Sequence, residues 1–131
     1  MPFGTDTKIT HLGSAIIADR IKNTPTVASP RWVAIGVGAT GAGRTAAKTD
    51  SALSTPVETR SEGTESRVTV TETNDAYQVV GIVTATAPRN VDEAALFNAL
   101  SGGTMFLSAT FTVVALSTND SLQLTCKCQI T

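Results

Sequence analysis

The last segment of the chain alternates between polar and apolar residues without a break. From Ser121 to Thr131 every second residue is polar, and the residues between them are Leu122, Leu124, Cys126, Cys128 and Ile130. Because successive side chains of a β-strand point to opposite faces, this period of two predicts a strand that buries one face. Residues 105–113 repeat the pattern. A chain with two such segments is expected to be mainly β.

One segment near the N-terminus has helical periodicity instead. Residues 9–22 contain apolar residues spaced three and four apart: Ile9, Leu12, Ile16, Ile17 and Ile21. Thr10 is a suitable N-cap, and Asn23 with Pro25 supplies a stop signal. The pattern predicts one amphipathic helix over residues 9–22.

Four further segments have strand-like composition. Residues 31–37 are β-rich and follow a proline, and residues 67–71 and 77–85 are joined by a polar turn that predicts a hairpin. Residues 77–85 are apolar on both faces, so we expect a central strand covered on both sides. Residues 91–97 fit either a strand or a helix.

Residues 38–65 are rich in glycine and alanine and lack a clear period. They are expected to form a long flexible loop with one helical turn at residues 51–53. The whole chain, 1–131, is expected to be a single domain. In it, a helix or arm over 1–30 precedes an antiparallel β-sandwich over 31–131, of the jelly-roll or immunoglobulin-like class.

The composition argues against several classes of partner. The 131 residues carry 10 Lys and Arg against 11 Asp and Glu, which gives a net charge of −1. The chain therefore lacks the basic excess that is typical of nucleic-acid-binding proteins. No apolar run is long enough to cross a bilayer, and no secretory signal is expected. Charged residues make up 16% of the chain, and 22 residues are threonine. A surface with few charges and many hydroxyls suits broad contacts with other proteins.

The glycines after residue 35 invite a nucleotide interpretation. Residues 36–41 match Gly-x-Gly-x-x-Gly, and residues 38–45 match a P-loop pattern in which Arg44 replaces the expected lysine. Both motifs need a helix that starts at the glycines and directs its N–H groups at a phosphate. No helical pattern follows here, so a flexible loop is the favoured interpretation and no cofactor is expected.

Residues for catalysis or metal binding are scarce. The chain has one histidine, His11, which is expected to be a surface or cap residue. Cys126 and Cys128 share the apolar side of their strand, which predicts two buried thiols and a reducing environment for assembly. The acids at Asp92, Glu93 and elsewhere are expected to form a solvated rim. No catalytic residue and no metal site is predicted, and the chain is not expected to be an enzyme.

Several short segments, in a fixed order, resemble a group of small β-rich virion proteins of tailed bacteriophages. In that group a strand ends in a Gly-x-Gly-x-Thr loop, which a Thr/Asp-x-Ala-Leu segment and an acidic residue follow. The resemblance spans roughly residues 31–131, and the matching segments are residues 32–40, 49–53, 77–81, 92–97, 101–104 and 121–125, together with Glu58.

The resemblance implies a non-enzymatic structural protein that decorates and cements the outer capsid surface. It implies a virion location after assembly in the cytoplasm of the bacterial host. The implied partners are the major capsid protein and further copies of the chain in a homotrimer, with no nucleic acid, membrane or small-molecule substrate.

The helix over 9–22 and the loop over 38–65 are expected to contact the partner. Because tryptophan and arginine concentrate at interface hot spots, the expected anchors are Arg31, Trp32, Arg44, Arg60 and Arg67. Three alternatives stay open at this point: a tail, baseplate or fibre component, a surface glycan-binding module, and a nucleotide-binding enzyme.

Overall fold

The computed structural model describes residues 7–130, so residues 1–6 of the predicted N-terminal arm and residue 131 of the last predicted strand lie outside it. Within this range the elements are β1 (Thr7–Ile9), α1 (His11–Ile21), β2 (Trp32–Val37), β3 (Thr55–Glu62), β4 (Thr64–Val68), β5 (Ala76–Thr84), β6 (Arg89–Phe97), β7 (Met105–Leu116) and β8 (Ser121–Gln129). The prediction of a mainly β chain with one helix near the N-terminus is confirmed.

The strands form two antiparallel sheets. The first has five strands in the order β1-β7-β6-β2-β3, and the second has three in the order β4-β5-β8. One hydrophobic cluster includes residues of both sheets: Val33 and Ile35 on β2 and Leu96 on β6 belong to it with Val79 on β5 and Leu124 on β8. The two sheets therefore share a core, which β8 enters through the apolar side of its alternating pattern.

The helix is shorter than predicted because its first apolar residue belongs to a strand. Ile9 ends β1, where it pairs with Leu107. Thr10 is the N-cap as predicted, and its hydroxyl accepts a hydrogen bond from the N–H of Gly13 at 2.8 Å. A Cβ on Gly13 would lie 2.5 Å from the carbonyl oxygen of Phe106, so glycine allows the first turn to approach β7.

The predicted loop over residues 38–65 is shorter than expected, because β3 and the start of β4 lie within it. Residues 51–53 are not helical, which corrects the prediction of a helical turn there. Gly63 alone separates β3 from β4, so the chain passes from one sheet to the other at a single residue. A Cβ at this position would lie 2.3 Å from a methyl carbon of Val79, which explains why a glycine stands there.

Residues 38–54 lie against the outer face of the five-stranded sheet. Leu53 belongs to a second apolar cluster with Ala34, Ala95, Phe97 and Met105. This cover explains why residues 91–97, which form a strand, are all buried and show no period of two. The central strand β5 is covered on one face only, since Ile82 is 54% exposed, which corrects the prediction that both faces are covered.

Candidate functional site

The outer face of the three-stranded sheet is a regular surface with few charged side chains. Besides the end row of Val68, Ala76 and Gln129, the pairing register puts ten side chains on this face: Thr64, Ser66, Gln78, Val80, Ile82, Thr84, Ser121, Gln123, Thr125 and Lys127. Among these ten residues only Lys127 carries a charge. The face is thus nearly neutral and rich in hydroxyl and amide groups.

A buried polar cluster lies beneath residues 38–54. Arg44 Nη1 donates a hydrogen bond to Glu93 Oε2 at 2.7 Å, and Arg44 Nη2 donates to Asp50 Oδ2, also at 2.7 Å. Ser108 Oγ accepts from Arg44 Nη2 at 2.8 Å and donates to Asp50 Oδ2 at 2.6 Å. The second oxygen of Glu93 accepts the N–H of Thr55 at 3.2 Å. Because each group has a partner inside the chain, this cluster fastens the segment to the sheet.

Asp92 holds the start of the same segment. Its two carboxylate oxygens accept the N–H groups of Ala39 and Thr40 at 3.0 and 2.8 Å. Burial raises the pKa of Asp92, but these N–H groups outweigh it, so the pKa lies below its usual range. The N–H groups that a nucleotide phosphate would need are therefore bound to a carboxylate of the chain itself.

The prediction that Asp92 and Glu93 belong to a solvated rim is wrong. Asp92 is 3% exposed, and Glu93 is completely buried. The reason is the segment 38–54, which covers this part of β6 and supplies the partners of both carboxylates.

The five predicted anchor residues do not form one surface. Arg31 is partly exposed and pairs with Glu62 at 3.0 Å and with Glu65 at 3.6 Å, and Arg67 is exposed on β4. Arg44 lies in the buried cluster with 15% of its side chain exposed. The described contacts bring together only Trp32 and Arg60, which both lie next to one aromatic ring.

That ring is Phe97. Trp32 pairs with it across β2 and β6, and the guanidinium carbon of Arg60 lies 3.5 Å from its centroid. Arg60 Nη1 also donates to the carbonyl oxygens of Ala99 and Gly102 at 2.8 and 2.7 Å. Burial lowers the pKa of Arg60, which still stays charged at any physiological pH. The arginine therefore ties β3 to the turn that follows β6.

One cavity lies next to β3 and another lies next to α1. The first, about 220 Å³, lies beside Arg60 and Leu53 between β3 and residues 51–53. The second, about 270 Å³, lies under α1 between Ile17, Phe106 and Ile130. At its floor the Tyr77 hydroxyl lies 2.9 Å from the carbonyl oxygen of Pro30 and 2.8 Å from Glu65 Oε1. In the described part of the chain, no group of three or more metal-ligating side chains converges on a common point.

The two thiols and the histidine lie where the sequence predicts them. Cys126 and Cys128 are free and buried. Burial raises the pKa of Cys126 to about 12 and also raises the pKa of Cys128, so both stay protonated and weakly reactive. His11 is exposed at the start of α1, where its backbone N–H donates to the carbonyl oxygen of Lys48.

Comparison with known protein families, with curated proteins and with solved structures finds no match for this chain. Among the described residues, no helix is both long and apolar enough to cross a membrane.

Proposed function

We propose that this chain is a structural protein of a tailed-phage virion that binds the outer capsid surface and stabilises the shell. Its partner is the major capsid protein, and it performs no catalysis. The observation that carries the proposal is the nearly neutral outer face of the three-stranded sheet, where Lys127 is the one charged side chain among ten.

The chemistry of this face suits contact with another protein. The buried centres of protein interfaces are depleted in charged residues, because a charge that loses water without a partner is costly. Val80 lies between Thr64 and Thr125, and Ile82 lies beside Gln123, so small apolar patches are framed by groups that can donate and accept hydrogen bonds. The free-energy cost of removing water from such a face is therefore small.

The free cysteines agree with assembly in a bacterial cytoplasm. Cys126 and Cys128 face the core as thiols, and reduced cysteines are typical of proteins that fold inside cells.

The finer fold class belongs to the same proposal. Two sheets that share a core make an antiparallel β-sandwich, and the hairpins β2–β3, β4–β5 and β6–β7 each stay within one sheet. Immunoglobulin-like domains have the same property, which favours that class over a jelly roll.

Phage particles that lack this protein test the proposal. Their shells are expected to break at a lower temperature, as scored by negative-stain microscopy after a heat challenge, and purified protein is expected to restore resistance. The variant Ile82→Lys puts a charge on the proposed face and is expected to weaken restoration. Val113→Lys is the matched control, since Val113 is 45% exposed on β7, away from that face.

Unchanged heat resistance of particles without the protein would contradict the capsid role. Immunogold labelling of intact particles separates a capsid location from a tail, baseplate or fibre location, because only the first labels the whole shell.

A further inference from the structure

The cavity between β3 and residues 51–53 combines apolar walls with two charged side chains. Its volume is about 220 Å³. Six of the residues that line it are apolar and aliphatic: Ala34, Ile35, Ala52, Leu53, Pro56 and Val57. An apolar cavity of about 150 Å³ can hold a benzene molecule, so this cavity has room for a ring or a short aliphatic group. Glu58 and Arg60 are the charged residues in its walls.

The charge of Glu58 is already balanced by residues that do not line the cavity. Its Oε1 accepts a hydrogen bond from Arg89 Nε at 2.8 Å, and its Oε2 accepts one from the Thr86 hydroxyl at 2.8 Å. The Glu58 side chain is only 5% exposed. Glu58 therefore presents little negative charge to the inside of the cavity.

Arg60 has no such counter-charge. Three other arginines each pair with a carboxylate, whereas among the described residues no carboxylate forms an ion pair with Arg60. Its Nη1 donates to the carbonyl oxygens of Ala99 and Gly102 at 2.8 and 2.7 Å. In the described part of the chain, no acceptor is bound to its Nε or its Nη2, although both nitrogens carry N–H groups.

The two nitrogens without an acceptor are open to a ligand. No buried side-chain nitrogen or oxygen in residues 7–130 lacks a hydrogen-bond partner, so Nε and Nη2 of Arg60 are not buried. They form one side of the guanidinium, where two parallel N–H groups match the two oxygens of a carboxylate. The contact with the Phe97 ring and the two carbonyl oxygens hold the group in place, so little side-chain entropy is lost when a ligand binds.

We propose that this cavity binds a carboxylate that carries a small apolar or aromatic group. The carboxylate pairs side-on with Nε and Nη2 of Arg60, and the apolar group lies against Leu53 and Val57. Burial lowers the pKa of Arg60, and the bound carboxylate supplies the counter-charge that the chain itself does not. A free monocarboxylic acid and an acidic side chain of a partner protein share this chemistry.

NMR titration of the isolated, isotope-labelled protein tests the site with benzoate as the probe. The expected dissociation constant is about 1 mM or lower, with shifts of the backbone signals of Leu53 and Gly102. Acetate has the charge without the ring, and benzyl alcohol has the ring without the charge. Each is expected to bind at least about 10-fold more weakly than benzoate, because the site is proposed to use both groups.

A fourth probe distinguishes the two sources of the carboxylate. N-acetylglutamate N-methylamide presents a carboxylate as a protein side chain does, between two peptide bonds. Because a ring covers more of the apolar walls than a side-chain stem does, benzoate is expected to bind more tightly, which assigns the site to a free acid. Tighter binding of the glutamate derivative assigns the site to an acidic side chain of a partner protein.

Substitution of Arg60 tests its role in binding. Arg60→Met keeps an apolar stem next to Phe97 but removes the N–H groups, and it is expected to raise the dissociation constant for benzoate at least about 10-fold. Arg67→Met removes the same charge from an exposed arginine on β4 and is the matched control, with an affinity near that of the wild type. If Arg60→Met does not fold, the comparison of probes on the wild-type protein still decides.

The proposal is overturned if about 10 mM benzoate shifts no signals near the cavity, or if the shifts centre on the cavity under α1. Acetate or benzyl alcohol that binds as tightly as benzoate also overturns it, as does unchanged affinity in a folded Arg60→Met variant. This inference does not rest on the proposed function, and the titration needs no capsid, so a failure of either one leaves the other standing.

Discussion

Replacing Arg44 with methionine tests whether the buried cluster holds the segment 38–54 on its sheet. The guanidinium bridges Glu93, which is completely buried, and Asp50, whose side chain is 15% exposed. Methionine fills a similar length but supplies no charge and no donor. Among the described residues, the N–H of Thr55 is then the one remaining partner of the Glu93 carboxylate.

The expected loss is large because a buried charge is left without its counter-charge. Breaking one partner of a buried ion pair costs about 3–5 kcal/mol, against about 5–15 kcal/mol for the whole stability of a typical domain. For a chain of this size we expect the melting temperature of the Arg44→Met variant to fall by roughly 10–20 °C. Urea unfolding followed by circular dichroism measures the same loss as a free energy of unfolding.

A second substitution separates lost packing from lost charge. Adding Glu93→Gln to the Arg44→Met variant removes the unpaired buried carboxylate, so the double variant is expected to recover about 2 kcal/mol. Arg67→Met, at an exposed arginine of β4, is the control and should cost no more than about 0.5 kcal/mol. A loss below about 1 kcal/mol for Arg44→Met, or no recovery in the double variant, would refute this explanation.

Three further predictions follow from other contacts. Gly36→Ala brings a Cβ to 2.3 Å from Glu93 Oε1 and should lower the free energy of unfolding, measured in urea, by about 1–3 kcal/mol. Gly41→Ala is the control and should leave that free energy unchanged, because the nearest atom to its Cβ would lie 3.9 Å away. Tyr77→Phe removes the hydroxyl over Pro30 and should lower the free energy of unfolding by about 1 kcal/mol, and an unchanged value would contradict the contact. Hydrogen bonds from the N–H of Val27, from Thr26 and from Lys22 together lower the pKa of Asp19 from 3.8 to about 2. This carboxylate therefore stabilises the fold above pH 4 and loses that effect as the pH falls towards 2. Melting temperatures across this range should therefore fall less for Asp19→Asn than for the wild type.

The elements predicted correctly are those whose pattern is local. The N-cap at Thr10 and the period of two in β8 depend on neighbours in the sequence, and both are present. β3 was missed because an edge strand with Pro56 and an irregular register needs no apolar alternation. From their sequence these residues were predicted to be part of a loop, although they pair with β2 along most of their length.

The buried cluster could not be predicted, because its members lie far apart in the sequence. Arg44 meets Glu93 and Ser108 only after β6 and β7 have paired and the segment 38–54 has folded over them. One signal was present: Gly36 pairs with Glu93 across the strands, and a glycine opposite a long acid leaves room for that side chain on the sheet.

The pairing of β1 with β7 has a consequence for how the chain is made. Thr7 lies opposite Ala109, and Thr10 donates through both its N–H and its hydroxyl to residues 106 and 105. A nascent chain on the ribosome cannot complete these contacts until that distant strand has emerged. Contacts so far apart in sequence also slow the search for the native topology. The start of α1 is thus expected to be secured only after β7 has been synthesised and has paired.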